Sequence, residues 1–251
     1  MPVEPVRALS AQERLILAVD TSTLEEARRL VDELSEYVGV FKVGLELFMS
    51  VGQPALKLFH DRGLKVFFDT KLLDIPNTVA KASEAVSRQG VQMFTVHATG
   101  GGKMLSACAQ AAKKGADEAG VAAPITLGVT VLTSLDAHSL QHELNVACSV
   151  KQQVLSLAKL CCDSGITGIV ASAEEVKELR AAVGESMVLV TPGVRPQWAD
   201  ANDQSRVVTP AQALRNGSDY LVIGRPITAA KDRKDAAKRI IAEMEEALAV
   251  V

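Results

Sequence analysis

Asp69-Thr-Lys71-Leu-Leu-Asp74 sets a lysine between two aspartates, directly after the apolar run Val66-Phe-Phe68. A side-chain period of two puts Phe67, Asp69 and Lys71 on one side of a strand, with Asp74 in the loop before a helix that begins around Pro76 to Thr78. An acid, a base and a second acid thus converge at the carboxyl end of one strand, the kind of grouping that can carry chemistry. An isolated Asp-x-Lys could equally be a salt bridge at a rim. Asp74, together with Asp20 at the end of an earlier apolar run and Lys42 inside another, weighs against that bland reading, because several charges held near one place must compensate one another.

A second constellation lies late in the chain. Val190-Thr-Pro-Gly-Val-Arg195-Pro ends an apolar run in a glycine-containing loop with a cation, and Leu221-Val-Ile-Gly224-Arg225-Pro ends another just before a helical stretch. Backbone N–H groups at a helix start, with Arg225, Arg195 and Gln204 as further donors, form an expected phosphate cradle. The competing reading is that Gly224 and Pro226 shape a turn and Arg225 is a solvated surface charge.

The elements that must position these groups repeat along the chain. Eight apolar, β-branched runs read as strands: 15–20, 40–45, 65–69, 93–97, 126–132, 168–171, 188–191 and 220–223. Between and after them, helical patterns cover 24–36, 53–61, 78–88, 103–119, 150–164, 173–181, 210–215 and 229–249. Continuous apolar strands separated by helices imply a parallel sheet covered on its faces, and eight such units close into an α/β fold of the (β/α)8 TIM-barrel class. A doubly wound open sheet is the alternative, but no Gly-x-Gly-x-x-Gly follows the first strand. Barrels build active sites at the carboxyl tips of their strands and often hold phosphate after strands seven and eight, where both constellations fall.

At 251 residues the chain fits one barrel domain, 15–251, behind a short extension, 1–14, in which Ser10-Ala-Gln-Glu13 resembles a capping box. A net charge of −3 argues against nucleic-acid binding, and no stretch reads as a signal peptide or membrane span, so a cytoplasmic protein is expected. Cys108, Cys148, Cys161 and Cys162 lack paired metal-ligand spacing and read as reduced, packed thiols, although the adjacent Cys161-Cys162 could be reactive. His138 and His142, four residues apart, lack a third ligand and read as solvated, while His97 reads as packed or hydrogen-bonded.

Taken together, Asp69-Thr-Lys-Leu-Leu-Asp-Ile-Pro-Asn-Thr78, Ala18-Val-Asp20, Phe41-Lys-Val-Gly44, Val131-Leu-Thr-Ser134, Thr191-Pro-Gly-Val-Arg195 and Ile223-Gly-Arg225 resemble, in order, the motifs of the orotidine 5'-monophosphate decarboxylases of pyrimidine synthesis. Leu73 departs from the His that many bacterial members carry. The resemblance implies conversion of orotidine 5'-monophosphate to uridine 5'-monophosphate and CO2, with Lys71 as proton donor, Asp69 beside the departing carboxylate, and Lys42, Asp69, Lys71 and Asp74 as an alternating charged network. It further implies that Asp20 and Lys42 bind ribose hydroxyls, that Thr133 and the Pro192 loop contact the base, and that Arg195, Gln204, Gly224 and Arg225 hold the phosphate. Asp74, Ile75 and Thr78 would reach into the site of a neighbouring subunit, giving a homodimer with shared sites. No metal or organic cofactor is implied. The polar segment 196–209 is expected to be a lid over the phosphate.

Three other readings compete. One is a Mg2+-dependent sugar-phosphate decarboxylase or aldolase, with Asp69 on the ion. Another makes Lys71 a Schiff-base lysine. The last is a non-catalytic nucleotide-binding barrel, against which the intact Asp69, Lys71 and Asp74 speak.

Overall fold

The five residues Leu15–Val19 are all buried and form β1, the kind of two-sided apolar strand that a parallel sheet covered by helices requires. In this computed structural model, which describes residues 8–198 and 208–249, seven more strands follow. They are β2 (Val40–Val43), β3 (Lys65–Leu72), β4 (Met93–His97), β5 (Ile125–Val129), β6 (Gly168–Val170), β7 (Val188–Pro192) and β8 (Tyr220–Ile223). The strands close in sequence order into an eight-stranded barrel, as expected from the repeat. The helices among the described residues are α1 (Ala11–Arg14), α2 (Leu24–Leu34), α3 (Leu45–Val51), α4 (Pro54–His60), α5 (Pro76–Arg88), α6 (Gly102–Ala119), α7 (Val150–Asp163), α8 (Val176–Val183), α9 (Pro210–Arg215), α10 (Arg225–Thr228) and α11 (Arg233–Leu248).

The chain falls into two compact units, Met1–Asp69 with Thr191–Val251, and Thr70–Val190. In the first, β1 pairs in parallel with β2 and β8, and β2 with β3. Phe41 and Phe59 pack with ring centroids 5.4 Å apart, and Ala236, Ala237, Ile240 and Met244 form the buried stripe of α11. Ser10 accepts the Glu13 amide and Glu13 answers to Ser10, so the expected capping box forms and opens α1. That exchange holds the Glu13 carboxyl below its usual range.

In the second unit, β4 pairs with β5, β5 with β6 and β6 with β7. Helices α5 and α6 approach so closely that a Cβ on Gly115 would lie 2.4 Å from the Glu84 carbonyl oxygen. Gly128 likewise leaves its space to Cys161, whose Sγ lies 2.3 Å from where a Cβ would stand.

Several boundaries differ from the sequence reading, among them the end of β3, which runs to Leu72 rather than Asp69. A strand expected to reach Leu45 stops at Val43, because Gly44 caps α3, a helix hidden from periodicity by its exposed Leu45 and Met49. The helix expected from Ala229 starts only at Arg233, where Asp232 caps it by accepting the Asp235 amide at 2.9 Å, and the short α10 lies wholly before the expected range. The fifth strand ends at Val129 rather than Leu132, and the apolar Val131 and Leu132 belong to the loop beyond it. No helix among the described residues is long and apolar enough to cross a membrane.

Candidate active site

Strand register explains the first cluster. Ala18 pairs with Lys42 and Lys42 with Phe67, so the next residues on the same face, two positions on, are Asp20, Gly44 and Asp69. Gly44 is the gap in that layer. A Cβ there would stand 3.0 Å from Lys42 Nζ and 3.5 Å from Asp20 Oδ1, so the glycine leaves room for the ammonium to rise and donate to Asp20 Oδ1 at 2.8 Å. Lys42 is largely enclosed while Asp20 is largely open to solvent, which leaves the carboxylate free to take a hydroxyl as well as the cation. Asp69, on β3, is half-buried.

The late residues of the same unit gather around β7 and β8. Thr191 Oγ1 and Ser218 Oγ, both buried, lie 2.7 Å apart and fix the end of β7. Pro192 closes that strand, Gly193 turns with φ 75°, and the Arg195 amide donates to the Val208 carbonyl at 3.1 Å, which ties the start of the following segment to its return. Arg195 is buried, at 3 % exposure. Gly224 packs against β1, where a Cβ would touch that of Ala18 at 3.4 Å, and the exposed Arg225 follows as the first residue of α10. Gln204 and most of the expected lid lie outside the described residues.

The other unit carries the second half of the Asp-x-Lys pattern, and there the strand is not regular. Lys71 has φ 48°, one of two non-glycine residues with positive φ among those described; the other is an asparagine, Asn145, a type that tolerates it. The left-handed conformation costs a lysine about 1–2 kcal/mol. Alternation along β3 therefore does not set the direction of Lys71, which corrects the reading that placed it simply on the face of Phe67 and Asp69. Two hydrogen bonds to β4 hold the segment: Thr70 Oγ1 donates to the Thr95 carbonyl at 2.7 Å, and the Lys71 amide donates to Thr95 Oγ1 at 2.8 Å.

Past the strand, Asp74 turns on itself, with Oδ1 accepting the Ile75 amide at 2.6 Å, and Pro76 opens α5. Asp74, Ile75 and Thr78 are all exposed, and so is Leu73. Thr133 sits in an exposed turn rather than at a strand tip. His97 ends β4, half-buried.

Two residues escaped the sequence reading. Gly44 was legible only as part of a motif, and its use depends on where Lys42 ends. Thr95 gives no signal at all, since threonine is an ordinary strand former.

The remaining reactive groups are accounted for by packing. Burial pushes the Cys108 thiol up to about 11 and the Cys161 thiol up to about 12, and burial beside Asp163 raises Cys162, so none is an activated nucleophile. His138 and His142 are exposed and lie 4.7 Å apart, centroid to centroid, on a π-helical turn over Ser139–Glu143. Among the described residues no three His, Cys, Asp or Glu side chains are grouped to hold a metal ion.

Comparison with known proteins bears on the whole arrangement. Residues 13–240 match the family described as Orotidine 5'-phosphate decarboxylase / HUMPS family. The chain is 47 % identical over 241 residues to the orotidine 5'-phosphate decarboxylase of Heliobacterium modesticaldum, covering 96 % of this chain and 99 % of that protein. It is 47 % identical over 245 residues to that of Moorella thermoacetica, covering 98 % and 97 %. The crystal structure of orotidine 5'-phosphate decarboxylase from Lactobacillus acidophilus superimposes with a TM-score of 0.82 at 37 % identity, over 92 % of this chain and 98 % of that one.

Proposed function

Since the chain belongs to the orotidine 5'-phosphate decarboxylase / HUMPS family, we propose that it is the carboxy-lyase that converts orotidine 5'-monophosphate to uridine 5'-monophosphate and CO2 in pyrimidine biosynthesis, using no metal or organic cofactor. The observation that carries this reading is the intact Asp69-x-Lys71-x-x-Asp74 at the carboxyl end of β3, in a chain alike over nearly its full length to proteins of that name.

In this reading the bond from the pyrimidine ring to its carboxylate breaks, CO2 leaves, and the electron pair stays on the ring carbon. The Lys71 ammonium delivers the proton that quenches it and recovers one from solvent. Asp69 lies beside the departing carboxylate. Two unit charges ~4 Å apart repel by about 4 kcal/mol at an effective dielectric near 20, whereas enzymes supply ~8–23 kcal/mol, so repulsion is the smaller part. The field of Lys71 on the developing carbanion, stronger in the transition state than in the ground state, supplies more. Asp20 and Lys42 take ribose hydroxyls, which suits an open carboxylate beside an enclosed ammonium. Thr133 and Pro192 contact the base, and Arg195, Gln204, Gly224 and Arg225 hold the phosphate, with the 196–209 segment as a lid.

Asp74, Ile75 and Thr78 act across a homodimer with shared sites. The exposed Leu73 and Ile75, 56 % and 66 % accessible on either side of Asp74, are apolar surface of the kind an interface covers. Residues 15–251 act as one catalytic domain in the cytoplasm, without nucleic-acid or membrane partners.

The deciding experiment follows the loss of orotidine 5'-monophosphate absorbance with EDTA present and Lys71→Ala in parallel. Turnover that withstands EDTA and falls by about 10²–10⁴-fold or more in the variant is expected. No turnover by the folded protein overturns the reading and favours a Mg2+-dependent sugar-phosphate relative. Mixing Lys71→Ala with Asp74→Ala subunits tests the sharing: activity recovered in the mixture supports it, and a mixture as inactive as its components defeats it.

A further inference from the structure

We propose that Thr95 is a positioning residue for Lys71, its hydroxyl holding the Lys71 peptide in the left-handed conformation from which the ammonium meets the substrate. The inference rests on the decarboxylase reading of Lys71 given above.

Nothing in β3 itself asks for that conformation. Lysine has no local side-chain bond that favours positive φ, unlike the asparagine at Asn145, and an extended Lys71 would simply continue the strand. Such a backbone state persists only where the surroundings determine it. Thr95 is 1 % exposed, and its Oγ1 takes the amide of Lys71 itself, at 2.8 Å. The neighbouring Thr70 hydroxyl donates to the Thr95 carbonyl at 2.7 Å, so the Thr70 side chain and the N–H of the peptide joining residues 70 and 71 are both tied to one residue of β4. With that peptide fixed, φ of Lys71 alone sets where its side chain leaves the backbone. Loss of the hydroxyl frees this torsion while leaving the Thr70 bond in place.

The test compares Thr95→Val, which keeps the shape and removes the hydroxyl, with Thr95→Ser, which keeps the hydroxyl and removes a methyl. On orotidine 5'-monophosphate, Thr95→Val should lose about 10–100-fold in kcat with KM within about threefold of wild type, and should shift the lysine limb of the pH profile, as expected for a misplaced catalytic group. Thr95→Ser should retain most of kcat although its packing is poorer. Wild-type kcat and pH profile in Thr95→Val, or equal damage in both variants, overturns the proposal. A crystal structure of Thr95→Val adds a readout independent of substrate: Lys71 at negative φ is expected, and an unchanged left-handed Lys71 defeats the proposal even if the decarboxylase reading stands. Failure of wild type to turn over this substrate, by contrast, defeats that reading and leaves the crystallographic arm to decide the role of Thr95.

Discussion

Lys42 Nζ lies 2.8 Å from Asp20 Oδ1, and the pair is lopsided: the lysine side chain is 12 % exposed and the aspartate 58 %. Removing Asp20 strips an enclosed cation of this partner, whereas removing Lys42 leaves a carboxylate that water can serve. Asp20→Ala should therefore lower stability by about 1 kcal/mol, discounted for the open side of the pair, and Lys42→Met by less. Gly44→Ala should leave unfolding almost unchanged yet raise KM several-fold, because its methyl would meet the flexible end of Lys42, 3.0 Å away, rather than backbone. Urea titrations and steady-state kinetics measure both; equal losses at positions 20 and 42, or an unaltered KM in Gly44→Ala, would refute the account.

Gly115 tests the packing of α5 on α6. Glycine to alanine inside an exposed helix normally stabilises by about 1 kcal/mol. Here the new methyl would meet backbone, 2.4 Å from the Glu84 carbonyl oxygen and 2.9 Å from its Cα. Gly115→Ala should instead destabilise by about 1–3 kcal/mol in urea unfolding, and a stabilised variant would show that the two helices do not approach so closely.

The buried thiols and one phenol predict the alkaline limit of stability. Cys108, Cys161 and Tyr220 are pushed up by burial to about 11, about 12 and about 12, from ordinary values of 9.0 for the thiols and 10.0 for the phenol. Raised values in the folded state mean that their stabilisation is complete below pH 9 and is lost as pH climbs from there towards 12. Thermal midpoints should be level near neutrality and fall progressively above pH 9. In a thiol titration at pH 8, Cys108 and Cys161 should stay unreacted until denaturant is added; four fast thiols in the native protein would contradict their burial.

Trp198, the one tryptophan of the chain, has the Arg239 guanidinium 4.1 Å from its ring centroid. The stack joins the stretch after β7, three residues past Arg195, to the surface of α11. At 39 % exposure of the indole it should contribute about 0.5–1 kcal/mol. Arg239→Gln should shift tryptophan emission to the red with a small loss of thermal stability; an identical spectrum would mean that the stack does not form in solution.

The amino-acid sequence alone determined the barrel, because its strands are buried on both faces: Leu15–Val19 and Tyr220–Ile223 are apolar and buried throughout, and a run of that kind between helical periodicities admits few other folds. It also showed which residues lie by the ends of the apolar runs, since Asp20 and Asp69 each follow one directly and Arg225 comes one glycine after another. It misjudged α3 and the end of β5, where Gly44 interrupts one apolar stretch and an irregular loop carries on another, features invisible to a count of apolar residues. Only the tertiary structure decided how two lysines are aimed. Lys42 rises because strand register sets Gly44 beside Asp20, and Lys71 departs from strand alternation because Thr95, distant in sequence and on the neighbouring strand, takes its amide. Periodicity fixes the side of a strand on which a residue belongs, but the direction of a long charged side chain depends on which neighbour leaves space and which supplies a partner, and both come from other strands.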